Sequence, residues 1–255
     1  MREIEDFSDE RHKSWCIHCG KAIADAPSNR DHVPTKSLLT KELRIKGADY
    51  DNGKGGEFDY LPQVTVCRRC NSSFSADENY LLCVLHAVMA GSLYPDPAKH
   101  PEAATILRSN RHVVRSLKVR PDGQLELFDN LEPFTLFPDV EKIRRVVLKN
   151  ARGHAYHELG EPMLRKPTEV TFVPLQRLSP EQRAAFERSG TGTELAAWPE
   201  VGSSMTVNLL DETAMVGGWI TVEPDRYRYS VDWSDGVTVK TVIWNYLATE
   251  TRWDE

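Results

Sequence analysis

Cys16-Ile17-His18-Cys19-Gly20 and Cys67-Arg68-Arg69-Cys70-Asn71 each place two thiols on one tight turn, and forty-seven residues separate Cys19 from Cys67. Two such turns supply the tetrahedral sulfur shell that Zn2+ prefers, so Cys16, Cys19, Cys67 and Cys70 read as a structural zinc site, with a redox Cys-x-x-Cys as the alternative. The residue after the second cysteine of such a turn often needs a positive φ; Gly20 adopts it freely and Asn71 tolerates it. His18 sits inside the first turn as a replacement ligand that the adjacent cysteines make unnecessary. The separation exceeds that of a simple zinc ribbon, so something is inserted between the pairs. The fifth cysteine, Cys83, falls in an apolar stretch and reads as a small buried hydrophobe.

The insert contains Arg30-Asp31-His32-Val33-Pro34, an extended stretch ahead of a proline. Neighbours in a strand point to opposite faces, so a site using both Asp31 and His32 takes a bulge or a bend there, or uses the backbone of one of them. Phosphodiester hydrolysis needs a base for water and charge stabilisation for the departing oxygen. Asp31 is a hard oxygen ligand suited to Mg2+, and a neutral His32 suits the base. By residue type alone Asp31 could cap the turn and His32 orient it; the flanking zinc turns favour the functional reading. Asn71 reads as a ligand or as an N-cap. Ser75 and Glu78 have capping-box spacing if the helix starts near Ser75, whereas a helix from Asn71 puts Asn71, Ser75 and Glu78 on one face, able to share a metal.

The order Cys-x-x-Cys-Gly, Asp-His-x-Pro, Cys-x-x-Cys-Asn resembles the HNH (ββα-metal) endonuclease superfamily, in an uncharacterised bacterial branch. The matching residues are Cys16, Cys19, Gly20, Asp31, His32, Pro34, Cys67, Cys70 and Asn71. The resemblance implies a nuclease in which His32 is the general base, Asp31 and Asn71 face a catalytic Mg2+ or Mn2+, and the cysteines hold zinc beneath the ββα unit. It further implies a hydrolase binding and cutting DNA, and by analogy a protein partner in a defence or mobile-element system. Phe74-Ser75-x-Asp77-Glu78-x-Tyr80, and Lys149, Arg152-Gly153 and Tyr156-His157-Glu158, are similar to the same group. The superfamily's middle asparagine has no counterpart: Pro62 stands there beside Leu61 and Gln63, and Asn52, Asp59 or Gln63 are the substitutes on offer. That departure motivates the alternative, a catalytically weakened zinc module that binds nucleic acid or a protein partner.

The 255 residues, 40% hydrophobic and 27% charged, describe a folded chain able to bury a substantial core. The polar Met1–Lys13 stretch lacks an apolar core for a signal peptide, and the longest apolar run, Tyr80 to Ala90, is far short of the ~20 residues a membrane span needs. Both point to a cytoplasmic protein without membrane partners. The net charge of -6 carries no basic footprint, but local charge differs. Arg11 to Ser75 holds eleven basic against seven acidic residues, and Ile106 to Arg120 holds five basic and no acidic ones. Arg108, Arg111, Arg115 and Lys118 are thus candidates for phosphate contact, or for a solvated helix face.

The pattern predicts an α+β fold: an HNH-like zinc unit with its following helix over 1–92, and a mostly antiparallel α+β domain over 101–255. The boundary is expected at Pro95, Pro97 and Pro101, after a helix over Ser75–Ala90. Further helices are expected over Glu102–Val119, Asp139–Lys149 and Pro180–Arg188. Strands are expected over 170–173, 204–210, 219–222, 227–233 and 237–244, with Gly236 turning the last pair. Lys46–Glu57 reads as a loop, and His154, His157 and Glu158 as a hairpin with a structural role.

Overall fold

The computed structural model describes residues 15–23, 27–40, 61–118, 135–188 and 215–254. The Lys46–Glu57 loop, the strand expected over 204–210, Asn52 and Asp59 lie outside them. The protein is α+β, with a ββα start at the cysteine cluster and an antiparallel C-terminal sheet. It forms two compact units, Met1–Ser73 with Val147–Glu255, and Phe74–Val146. The proline cluster expected at a boundary lies inside the second unit, where Pro101 opens a helix, the place where a missing N–H does least harm.

In the first unit, strand β1 (Ser28–His32) pairs antiparallel with β2 (Gln63–Cys67), in a register that sets Asp31 opposite Val64 and His32 opposite Gln63. Helix α1 (Arg68–Ala90) starts directly after Cys67. It therefore begins seven residues before the expected Ser75, because its first two turns carry no apolar stripe to announce them. Ser75 and Glu78 lie mid-helix, so no capping box forms there. Asn71 is helical too, and the positive φ allowed for it is absent, whereas Gly20 has φ +67. Val64, Val66, Val33, Ile17 and Cys16 make a small core under the hairpin.

Helix α4 (Val140–Leu159) carries its second half into this unit. His154, His157 and Glu158 therefore stand on a helix, not in the expected hairpin. Gly153 serves close packing rather than a turn: a Cβ there would meet the Val33 methyls at 2.9 and 3.2 Å. Gly153→Ala consequently sets a helix-propensity gain of up to ~1 kcal/mol against an overpacking cost of ~1–3 kcal/mol. We expect a lower urea midpoint in the parent background and a raised one in Val33→Ala, where the space exists. A gain in both backgrounds would show that Val33 yields freely.

Strands β3 (Glu169–Pro174), β4 (Ile220–Glu223), β5 (Tyr227–Asp232), β6 (Val237–Ile243) and β7 (Leu247–Trp253) form one antiparallel sheet in the order β3-β7-β6-β5-β4. Strand β7 escapes a hydrophobicity reading because two of its buried positions are threonines; the Thr249 hydroxyl lies 2.6 Å from that of Thr241 on β6. Helix α5 (Pro180–Glu187) is capped by Ser179 and Gln182 in a reciprocal capping box. The β6–β7 turn holds Trp244 at φ 56 and Asn245 at φ 49, and left-handed geometry costs a bulky residue about 1–2 kcal/mol. Three contacts hold Trp244 there. Its indole N–H donates to the Leu38 carbonyl (2.7 Å), its backbone N–H to that of Arg226 (2.7 Å), and the Arg226 guanidinium lies 4.5 Å from its ring centre.

The second unit comprises α1 from Phe74, α2 (Pro101–Ser109), α3 (Arg111–Ser116) and the start of α4. The single helix expected over Glu102–Val119 is broken at Asn110, whose backbone and side-chain N–H groups both turn back to the Ile106 carbonyl. Asp77 is buried against Arg145 (2.9 Å), and the Tyr80 hydroxyl accepts from the Asp139 N–H (2.6 Å). Cys83 is buried, and burial pushes its thiol up to about 11, as suits a core residue without redox duty. No helix among the described residues is long and apolar enough to cross a membrane.

Candidate metal centre and the adjoining buried charge cluster

The first knuckle closes by N–H donation from Gly20 to the Cys16 carbonyl (2.8 Å) and from Cys16 to that of Lys21 (2.8 Å). In the second, the Cys67 sulfur accepts from the Cys70 N–H (3.4 Å), so it caps the start of the helix as a capping side chain would. The four sulfurs lie within 4.8 Å of one another, and Cys19 to Cys67 is 3.8 Å. A tetrahedron with metal–sulfur bonds of about 2.3 Å has sulfur–sulfur edges of about 3.8 Å. All five cysteines are free. Burial pushes the Cys16 and Cys70 thiols up; Cys67 stays below its ordinary value because the Cys70 N–H and neighbouring thiols outweigh its own burial. Four crowded sulfurs that resist ionising together are what a divalent cation relieves, and the cluster can hold a metal ion.

Asp31, the fourth residue of β1, is buried, and its carboxylate meets a cation on α4. Lys149 Nζ is 2.8 Å from Oδ1, and His18 Nε2 is 3.5 Å from Oδ2. Lys149, only 4% exposed, also donates to the Thr35 hydroxyl (3.1 Å), and the Thr35 N–H donates to Asn150 Oδ1 (2.8 Å). Burial alone would push Asp31 up; the contacts with His18 and Lys149 outweigh it and hold the group below the usual carboxylate range. His18 is lowered, first by its own burial, and is neutral near pH 7. Arg152 fixes the knuckle from the same helix, donating to the His18 carbonyl (2.9 Å).

His32 ends β1, half-buried, with Gln63 Nε2 3.1 Å from its Nε2: the amide N–H donates to an unprotonated ring nitrogen, which leaves the ring proton on Nδ1. Burial, then the charges of Lys36 and Lys149, lower its pKa against the opposing pull of Asp31. The imidazole is thus neutral in a field containing two lysines and one carboxylate, an arrangement that favours an anionic ligand. Gln63 stands at the histidine; the other two substitutes offered for the middle asparagine, Asn52 and Asp59, lie outside the described residues.

The divalent cation expected at Asp31 and Asn71 does not fit this arrangement. A cation on the Asp31 carboxylate would stand against the buried Lys149 ammonium, and taking Lys149 away would strand it. Asn71 lies in the first turn of α1, partly buried, and Glu78 belongs to the second unit. Among the described residues, the cysteines form the one group of three or more His, Cys, Asp or Glu side chains able to share an ion. Sequence reasoning missed Lys36, Thr35 and Asn150, and gave Lys149 no site role although it belongs to the stretch similar to the HNH-like group; a lysine facing inward from a helix was the available signal at 149. Further along α4, His154 stacks on Tyr229 (centroids 3.8 Å apart) and lies 2.9 Å from the Tyr227 hydroxyl, while Tyr229 donates to Glu158 (2.5 Å). These groups join α4 to β5 in the core.

No protein family, curated protein or solved structure matches this chain.

Proposed function

We propose that the first unit is an HNH-type phosphodiester hydrolase acting on DNA, with Zn2+ in the cysteine cage and His32 as its general base. The observation that carries this reading is the neutral His32 at the end of β1, oriented by Gln63 and standing in the field of Lys36 and Lys149. In the reaction, water displaces the Gln63 amide from Nε2 and gives that nitrogen its proton as its oxygen attacks phosphorus. The bond to the departing 3′ oxygen breaks, that oxygen takes up a proton from solvent, and His32 later returns its own to solvent. Lys36 and Lys149 lower the energy of the charge building on the phosphate, while Asp31 keeps Lys149 in place.

The test is plasmid nicking by metal-replete protein with Mg2+, with Mn2+ and with neither, the parent beside His32→Ala at matched purity. We expect His32→Ala to keep its metal content and melting temperature and to lose at least ~100-fold in cleavage rate. Equal cutting by both proteins removes His32 as the base.

A second reading, a zinc-stapled module that binds nucleic acid without cutting it, is favoured by the Asp31–Lys149 pair, which occupies the carboxylate that a cation would use. Binding without cleavage by either protein, under all three metal conditions, would select it.

A further inference from the structure

The second unit carries an open groove of about 440 Å³ between the segment before α2 and the helices α2 and α3. Leu93, Pro95, Leu107 and Val114 give it an apolar floor. Its wall holds Arg108, Arg111 and Arg115, spaced i, i+3, i+7, and all exposed. Helix α3 resumes directly after Asn110, which keeps the three on one side. Among the described residues none of the three has an ion-pair partner. Tyr94, 69% exposed, lies on the groove with Lys118 Nζ 4.8 Å from its ring centre.

A merely solvated helix face mixes both signs of charge and needs neither a cavity nor an exposed ring. Here a row of fixed cations, a flat aromatic and an apolar floor converge, and no acidic residue occurs between Ile106 and Arg120. We propose that this groove binds single-stranded nucleic acid, with phosphates on Arg108, Arg111 and Arg115 and a base on Tyr94. The volume matches a small-ligand pocket and takes roughly one or two nucleotides, not a duplex. Arginine forks suit phosphate oxygens, and stacking on tyrosine serves any base, so the site is strand-specific and sequence-tolerant. The identity of the polyanion rests on reading the chain as a nucleic-acid protein; the groove shares no residue with the His32 site.

The experiment is fluorescence anisotropy of a labelled oligo-dT over a salt series. It uses the full chain carrying His32→Ala, without Mg2+ or Mn2+, so that binding is read whether or not the parent cuts. We expect Arg108→Ala/Arg111→Ala/Arg115→Ala to lower the slope of log K against log salt by about 2, at ~0.7 per lost phosphate contact. The matching triple lysine variant keeps the slope, which separates lost charge from lost fold. Tyr94→Ala weakens binding about 5- to 100-fold at an unchanged slope. An alanine triple that melts like its parent and binds with the same affinity and slope overturns the proposal. Equal competition by a duplex, or by polyglutamate at matched charge, also overturns it, in favour of a duplex or an acidic protein. Failure here leaves cleavage by the parent untouched, and failure of cleavage leaves this binding intact.

Discussion

Cys67→Ser yields a chain without stoichiometric zinc whose first unit does not hold its fold, and chelation of the parent does the same. Cys67 ends β2, accepts the first-turn N–H of α1, and belongs to the small core beneath the hairpin. Losing it removes a ligand, a cap and a packing contact together. Structural zinc supplies roughly 10–16 kcal/mol in small sites, as much as the whole stability of an ordinary domain. Native mass spectrometry should count one zinc per parent chain. A thermal scan with a strong chelator should show the transition lowered by tens of degrees or replaced by a non-cooperative one, with recovery when zinc is returned. Parent protein that carries no metal and melts identically with and without chelator would remove zinc from the account.

The second large effect belongs to Lys149. Replacing it by methionine keeps the volume and leaves the Asp31 carboxylate buried without its cation, a change that costs about 3–5 kcal/mol. At roughly 2–4 °C per kcal/mol for a chain of this size, the melting temperature should fall by about 6–20 °C. Asp31→Asn in the same chain should return part of that loss, and the double-mutant cycle gives the coupling. The pH dependence has a definite sign. In the parent the folded-state pKa of Asp31 is depressed, so its contribution is present above the unfolded value and lost as pH falls through the folded one. In Lys149→Met the folded value is raised instead, so the difference between the two proteins should narrow below about pH 4. A constant difference from pH 3 to 7 would mean that Lys149 stabilises by packing alone.

What the sequence discloses here follows from how local each signal is. The two knuckles, Gly20, the Asp31-His32 step and the Gly236 turn are written in a few adjacent residues, and the ββα start is implied by the family resemblance that their order carries. The start of α1 at Arg68 is hidden because its first two turns offer only Cys70 and Phe74 among polar residues, too few to read as an apolar stripe. The end of α4 is hidden because a glycine inside a helix looks like a breaker until Val33 is seen to occupy the space of its side chain. Strand β7 is hidden because paired threonines stand where hydrophobes were sought. The Asp31–Lys149 pair joins residues 118 positions apart and has no local signature; only the topology creates it. Gln63 was one of three equivalent substitutes until the β1–β2 register set it across from His32.

The first unit is interrupted in sequence by the second, and this orders events during synthesis. The cysteine cage has all its ligands once residue 70 has emerged. Thr35 must wait for Asn150, 115 residues further on, and Leu38 for Trp244, 206 residues further on. At about 5–20 residues per second, the first wait lasts roughly 6–23 s and the second roughly 10–41 s. Between residues 70 and 149 the nascent chain carries a complete set of four cysteines, able to hold a metal ion, while Asp31 still lacks its lysine. The cysteine cage is thus complete in sequence well before the charge cluster beside it, which waits for Lys149, Asn150 and Arg152.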